Sequence, residues 1–421
     1  MMKSEVNKYK ADNSAEIPDS GLAEILVVGP GKMGTGLSLA FAQSGFSVLL
    51  VGRSQVSLES GLNLIDESLK EGINKGVFDV EEAQKIRQRI SLKKKENNFT
   101  FPEVKSIKLA LEAISEDFKA KAEVLAELDS SLPLSTPLAT ITSSLDAELL
   151  GSTLAHPEKF IWLHFFYPPQ KNRAVEVAHL SRTSLQTIEI TMAILGQAGR
   201  EIIRLKKYRR GGVANIILIS LILEALRLID EGFEVSLVEE ASRLAFNLPM
   251  GFLSLLSWLD QKLALTVASS LRPTGDSKDP IFLAYDNFFT WPARLQEFVK
   301  KEGVRGLDSF LKINQPHKSE NSSLNALILE LAQQRFLAVA FMTSSEVVEA
   351  GLIDPASCDR LCQLALGWPE GPFTLMNRLG IEAALRLVTE RMELSHRQEI
   401  NFPVPRNLIE KAMKKELWPL T

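Results

Sequence analysis

The apolar positions first fall into a strict rhythm at Ala23. A short apolar run, Ile25–Val28, is followed by a helical stretch from Met33 to Gln43 that Gly45 ends, and then by a second apolar run, Ser47–Val51. Strand, helix and strand at this spacing predict a βαβ unit. Further strands are expected at 107–114, 138–141 and 160–166, each separated by helical or turn-rich sequence. Short buried strands alternating with helices pack as a parallel sheet covered on both faces. After about Leu205 the rhythm lengthens into helical patterns such as Val213–Asp230 and Leu237–Ala245, so a second, mainly α-helical region follows. Residues 1–22 mix Lys, Glu, Asn, Asp and Ser without periodicity and predict a flexible tail. The polar, proline-containing stretch 314–323 predicts a linker.

The helical region repeats itself on either side of that linker. Residues 244–256 align with 364–376, pairing Pro249 with Pro369 and Gly251 with Gly371, and Asp230-Glu-Gly232 echoes Glu349-Ala-Gly351 upstream. Two copies of one helical unit that pack on each other are expected. The fold class is therefore α/β, a Rossmann-type parallel sheet domain followed by two tandem, mainly α-helical domains. The expected boundaries are 23–205, 206–318 and 319–421.

Composition changes this picture little. With 421 residues, 45% apolar and 24% charged, the chain suits several globular domains, and disordered, collagenous and disulfide-scaffold classes are excluded. A net charge of −4 argues against a nucleic-acid coat or a basic membrane-surface protein. The longest apolar run, Val213 to Leu223, is interrupted by Asn215 and Ser220 and stops at Glu224, short of the ~20 residues a bilayer requires, so it is expected to be a buried helix. Cys358 and Cys362 lie one helical turn apart without further ligands and read as core residues. Few cysteines and no signal peptide point to the cytoplasm. No two histidines show a metal-ligand spacing, and no metal is expected.

The candidate chemistry begins at Gly29-Pro-Gly31-Lys-Met-Gly34, which fits G-x-G-x-x-G between a strand and a helix. Such a turn lets backbone approach a pyrophosphate at a helix N-terminus, with Gly29, Gly31, Lys32, Met33 and Gly34 in contact range. A carboxylate closing the second strand would mark NAD(H), but the strand ends Val51-Gly52-Arg53-Ser54. Arg53, beside Ser54, offers a guanidinium to a 2′-phosphate, so NADP(H) is expected in preference to NAD(H). His164-Phe-Phe-Tyr-Pro168 ends a strand, and Glu176 follows within Ala174-Val-Glu-Val177.

Together these residues resemble the L-3-hydroxyacyl-CoA dehydrogenases from about Ala23 to Thr421. The likeness rests on the glycine turn with Met33-Gly-Thr-Gly36, on Glu112–Lys121, on Thr142-Ser-Ser-Leu145, on His164-Phe-Phe with Val175-Glu-Val177, and on Asn215. The duplicated helical unit is similar to the dehydrogenase portion of multifunctional β-oxidation enzymes, and single-copy members build a comparable contact by dimerising. The resemblance implies that His164 is the general base and Glu176 the carboxylate that orients it and favours the imidazolium. It also implies that Ser143 bonds the reacting oxygen, that Asn215 fixes the substrate, that Glu116 and Lys121 lie near the nicotinamide ribose, and that Ser68 and Lys75 touch coenzyme A. The reaction it implies interconverts 3-hydroxyacyl and 3-oxoacyl thioesters. The implied substrates are CoA thioesters, with acyl carrier protein a second candidate, and the chain is expected as a monomer or homodimer that binds neither nucleic acid nor membrane.

The chain departs from that family at several positions. The aspartate ending the second strand is Gly52, the asparagine after His-Phe-Phe is Tyr167, the Ser-Asn before Thr-Ser-Ser is Thr140-Ile141, and the Lys-Asp-x-Pro-Gly-Phe lead into the first long helix is Lys207-Tyr-Arg-Arg-Gly-Gly212. These changes leave the acid–base pair intact and bear on substrate identity. Tyr167 would reshape the substrate site. The basic cluster Arg204, Lys206, Lys207, Arg209 and Arg210 reads as a solvated domain junction, with attraction of an anionic carrier as the alternative. Two further readings stand beside the leading one: a dehydrogenase of a free hydroxy acid, and a cofactor-binding scaffold that has lost turnover.

Overall fold

A computed structural model describes residues 23–95, 102–259, 261–272, 287–303 and 322–420. The expected tail and most of the expected linker lie outside these residues. Among them, the N-terminal domain is an eight-stranded sheet: β1 (Ile25–Val28), β2 (Val48–Gly52), β3 (Ile90–Lys94), β4 (Leu109–Glu112), β5 (Leu138–Thr140), β6 (Phe160–Phe165), β7 (Ala174–Ala178) and β8 (Glu201–Arg204). The spatial order is β3-β2-β1-β4-β5-β6-β7-β8. Six of the strands thus stand in the order of a dinucleotide-binding fold, with the reversal of winding between β1 and β4. Every described pairing is parallel except β6 with β7, so the sheet is mixed where the sequence pattern predicts a parallel one.

The helices on the sheet include α1 (Lys32–Gln43), α2 (Gln55–Asn74), α3 (Val80–Gln88), α4 (Phe118–Ser131), α5 (Ala147–Ser152) and α6 (Leu185–Gln197). β3, β7 and β8 were not among the expected strands. β3 and β8 are half-exposed edge strands with charged residues, and β7 buries a glutamate, so none of them shows a clean apolar run.

The helical half starts with α7 (Gly212–Asp230), followed by α8 (Val235–Ala245), α9 (Phe252–Trp258), α10 (Gln261–Ser270) and α11 (Ala293–Glu302). The second copy contains α12 (Ser322–Glu349), α13 (Pro355–Leu366), α14 (Pro372–Leu379), α15 (Ile381–Arg397) and α16 (Arg406–Lys414). α12 packs across α7, α8 and α15, so the copies are joined by their longest helices. At 19 residues and mean hydropathy 2.0, α7 is longer than the uninterrupted apolar run suggests and could span a bilayer by length and composition; 89% of it is buried inside the protein, which makes it a core helix.

The repeat extends to individual hydrogen bonds. In the first copy the Glu239 carboxylate accepts from the backbone N–H groups of Gly251, Leu253 and Ser254 at the start of α9. In the second, Asp359 accepts from Phe373 and Thr374 at the start of α14, at matching spacing. A carboxylate on one helix thus caps the free N–H groups of the next. A Cβ at Gly251 would lie 2.6 Å from the Glu239 carboxyl carbon, and one at Gly371 2.2 Å from that of Asp359, which is why both copies need glycine there.

The junction cluster is solvated at Arg204, Lys206 and Lys207, as expected, and departs from that at Arg209. Arg209 is buried and pairs with Glu346 on α12 at 2.8 Å, Lys207 donates to the Ala350 carbonyl, and the Lys206 N–H donates to the Leu352 carbonyl. These groups fasten the end of the sheet domain to the second helical copy. Cys358 and Cys362 are free thiols buried on α13.

Candidate active site

The antiparallel β6–β7 pairing places His164 directly opposite Glu176. Side chains of such a pair project from the same face. His164 Nδ1 lies 2.7 Å from Glu176 Oε2, and both groups are buried. A carboxylate oxygen accepts, so Nδ1 donates to Glu176 and Nε2 is left on the other side of the ring. Asn215 Nδ2 on α7 stands 3.4 Å from Nε2.

Glu176 is held from behind. Its Oε1 accepts from the N–H groups of Val213 (2.8 Å) and Ala214 (3.1 Å), in the first turn of α7. The helix N-terminus therefore steadies the buried carboxylate. Gly211 and Gly212 both have positive φ, +83° and +70°, and bring those N–H groups to the carboxylate. A Cβ at Gly212 would sit 2.5 Å from Glu176 Oε2 and 2.8 Å from the Trp162 ring. Gly212→Ala is expected to cost about 1–3 kcal/mol in backbone strain and to lower turnover at least tenfold by displacing Glu176. Parallel thermal melts and steady-state kinetics check this; wild-type values in both would show that the glycine is dispensable.

Trp162, two residues before His164 on the same face of β6, stacks on the imidazole with ring centroids 5.5 Å apart. Its Nε1–H donates to the Thr142 carbonyl at 2.9 Å, tying the Thr142–Ser144 turn to the histidine. Glu116 ties the same turn from the other side, one oxygen accepting from the hydroxyls of Thr142 and Ser144 and from the N–H groups of Ser143 and Ser144. Burial alone would push the Glu116 carboxyl up, but the Lys121 ammonium and these hydrogen bonds hold it below the usual carboxylate range. With its neighbours so engaged, Ser143 lines a cavity together with His164, Asn215 and Met33. Lys121 is buried, and its ammonium is used by Glu112 (2.7 Å), Glu116 (3.4 Å) and the Ile114 carbonyl, so it supports Glu116 from below.

The glycine turn lies at the point where the winding reverses. A Cβ at Gly29 would lie 2.5 Å from the Ala113 carbonyl oxygen, and one at Gly34 would overlap the Gly29 carbonyl, whereas one at Gly31 meets nothing within 4 Å. No side chain caps the start of α1, so its N–H groups face the open space above Gly31. This arrangement fits a pyrophosphate. Lys32 is exposed on that turn and Met33 reaches the cavity. Arg53 is exposed at the end of β2, and Ser54 forms a reciprocal cap with Ser57 at the start of α2. Ser68 and Lys75 line a separate groove of about 230 Å³ with Lys171, which sequence reasoning missed. Lys75 and Lys171 both pair with Glu71, pulling its carboxyl down to about 2. Tyr167 is exposed at the rim of the cavity and forms an aromatic pair with Trp258 at 6.1 Å.

A winding order of this kind with a glycine turn at its reversal defines a dinucleotide-binding domain, here with two helical units added. Residues 24–208 match the family model for the 3-hydroxyacyl-CoA dehydrogenase NAD binding domain, and the model for the C-terminal domain matches twice, at 211–297 and 332–416. A probable 3-hydroxybutyryl-CoA dehydrogenase of Bacillus subtilis is 30% identical over 259 residues, 61% of this chain and 88% of that protein. The chain belongs to the 3-hydroxyacyl-CoA dehydrogenase family and is a dehydrogenase of that family. Among solved structures, 3-hydroxybutyryl-CoA dehydrogenase from Escherichia coli K12 superposes with a TM-score of 0.75 at 20% identity, covering 94% of this chain and 99% of that one; this shows a shared fold. The (S)-3-hydroxybutyryl-CoA dehydrogenase PaaH1 from Ralstonia eutropha gives 0.59 at 25% identity, over 67% of this chain and 94% of that one.

Proposed function

We propose that this dehydrogenase interconverts 3-hydroxyacyl-CoA and 3-oxoacyl-CoA thioesters, with NADP(H) as the preferred nicotinamide. The observation that carries this reading is the His164–Glu176 pair, in which the other ring nitrogen of His164 stands 3.4 Å from Asn215 and His164 lines a cavity with Ser143 and with Met33 of the glycine turn. The cofactor supplies or accepts the hydride at C3. In the oxidative direction Nε2 of His164 takes the hydroxyl proton, and the imidazolium is stabilised by Glu176, itself anchored on the start of α7. In the reductive direction the same nitrogen returns the proton to the alkoxide. Ser143 donates to the reacting oxygen as charge develops on it, and Asn215 holds the substrate against the imidazole.

The NADP(H) preference draws support from Arg53 and from Lys94, which stands in register with Gly52 on the neighbouring strand; both are exposed. Two cations and no carboxylate at the ends of β2 and β3 favour a 2′-phosphate. Lys75 and Lys171 offer charge to the CoA phosphates. Reduction of 3-oxoacyl-CoA with each nicotinamide tests both parts. The expected kcat/KM with NADPH exceeds that with NADH at least tenfold, and Arg53→Ala narrows the gap. Equal use or an NADH preference removes the cofactor assignment, and absence of turnover with every thioester removes the reaction.

A further inference from the structure

Resting on that reading, we propose that the substrate carries an acyl chain well beyond four carbons and that the second helical copy helps select it. The cavity at His164 has a volume of about 400 Å³. A four-carbon 3-oxoacyl group has a single methyl beyond the reacting carbon, so it leaves the end of the cavity away from His164 uncovered. Away from His164, Ser143 and Asn215 the walls are almost entirely apolar, built from α7, α9, α10 and the loop before α9. Such a surface gains from each buried methylene, about fourfold in binding before ordering costs.

Two further features point to a chain as the occupant. Four large apolar side chains that line the cavity are left exposed at its rim: Tyr167 (47%), Met250 (43%), Trp258 (64%) and Leu263 (41%). An exposed apolar cluster continuous with a catalytic cavity marks a surface that a hydrophobic ligand covers. One wall, moreover, comes from the second copy, where Ala365, Leu366, Gly367 and Trp368 close the cavity at the end of α13. Trp368 is buried and stacks on Phe246 of the first copy with centroids 4.2 Å apart, so this wall is fixed in place. Ala365 and Leu366 are half-buried and set the space left for the chain. The duplication therefore builds, within one chain, part of the pocket that measures acyl length.

A chain-length series tests this. The kcat/KM for 3-oxodecanoyl-CoA is expected to exceed that for acetoacetyl-CoA at least tenfold. The saturated probe decanoyl-CoA should inhibit competitively at least tenfold more tightly than butyryl-CoA. Ala365→Trp and Leu366→Trp, which add bulk at the second-copy wall, should lower the ratio of C10 to C4 efficiency more than tenfold. Turnover of acetoacetyl-CoA equal to or better than that of the C10 substrate overturns this proposal and leaves the reaction standing, whereas no turnover at any length overturns both. An unchanged C10 to C4 ratio in folded Ala365 and Leu366 variants overturns the role of the second copy. Should those variants fail to fold, the wild-type series and the two inhibition constants still decide chain length, and equal inhibition by the two probes counts against it.

Discussion

Replacing His164 by Gln is expected to lower kcat by 10²–10⁴-fold, the usual worth of a positioned acid–base group, while the dissociation constant of NADPH changes little. Glutamine fills much of the imidazole volume and can still bond Glu176, but its amide cannot take up the hydroxyl proton. The lost rate corresponds to about 3–5 kcal/mol of transition-state stabilisation. Substrate binding should survive, because the cavity walls and Asn215 are untouched, so the loss falls on kcat far more than on KM. Cofactor binding should survive because the glycine turn is built from other segments, β1 and α1, with Gly29 packed against Ala113. The measurement is single-turnover reduction of a 3-oxoacyl thioester together with fluorescence titration of NADPH. A kcat within threefold of wild type would show that the imidazole is not the proton carrier, and the Glu176 pairing would then need another purpose. Lost NADPH binding would mean that the substitution had disturbed the fold.

What the sequence made legible follows what local pattern can encode. The βαβ start, the glycine turn and the helical repeat are set by residues near in sequence: apolar runs, a turn chemistry, and Pro and Gly at matching offsets. His164 and Glu176 were identifiable as residues, but the reason they meet was not, since it depends on β7 running antiparallel to β6. Nothing in Ala174–Ala178 announces that direction, and its buried glutamate disguises the strand. Burial of Glu176 is tolerated only because His164 and the first turn of α7 satisfy it, a tertiary condition invisible to periodicity. Trp162 could have been found, because two residues along a strand return to the same face, so Trp-x-His places an indole beside the imidazole. Arg209 could not, since a partner on α12, 137 residues later, is what buries it. The same holds for the cavity wall at Ala365–Trp368, whose place in the cavity with His164 depends on how the second copy folds back on the first.

That fold-back rests on one buried carboxylate, and Glu224→Gln is expected to destabilise the helical half by about 3–5 kcal/mol. Glu224, on α7, is fully buried and receives Arg335 Nε at 2.6 Å from α12, Arg391 Nε at 2.7 Å from α15, and Arg227 at 3.3 Å from its own helix. Three guanidinium groups, two of them from the second copy, thus converge on one residue of the first. Partners around them complete the network: Arg335 also pairs with Glu231, Arg391 bonds Gln398, and Arg227 donates to the Phe288 carbonyl. Burial by itself would raise the Glu224 carboxyl, yet the three arginines hold it well below the usual carboxylate range, while desolvation lowers Arg227 to about 10. A neutral amide of the same shape leaves three cations in the interior with one counter-charge fewer, and the expected cost is that of breaking a buried pair rather than the small worth of a surface bridge. Because the Glu224 value is depressed in the folded state, its contribution is complete above the ordinary carboxylate range and is lost only as pH falls toward that depressed value. The stability gap between wild type and Glu224→Gln should therefore be constant from about pH 6 to 8 and narrow on acidification, which urea unfolding across pH can follow. Replacing Glu224, Arg227, Arg335 and Arg391 together by Leu, Met, Met and Met should cost less than the single substitution, since none of the converging charges is then left buried and unpaired. A single variant within 1 kcal/mol of wild type, or additive costs in the quadruple variant, would show that apolar packing of α12 on α7 and α8 joins the copies without help from the charges.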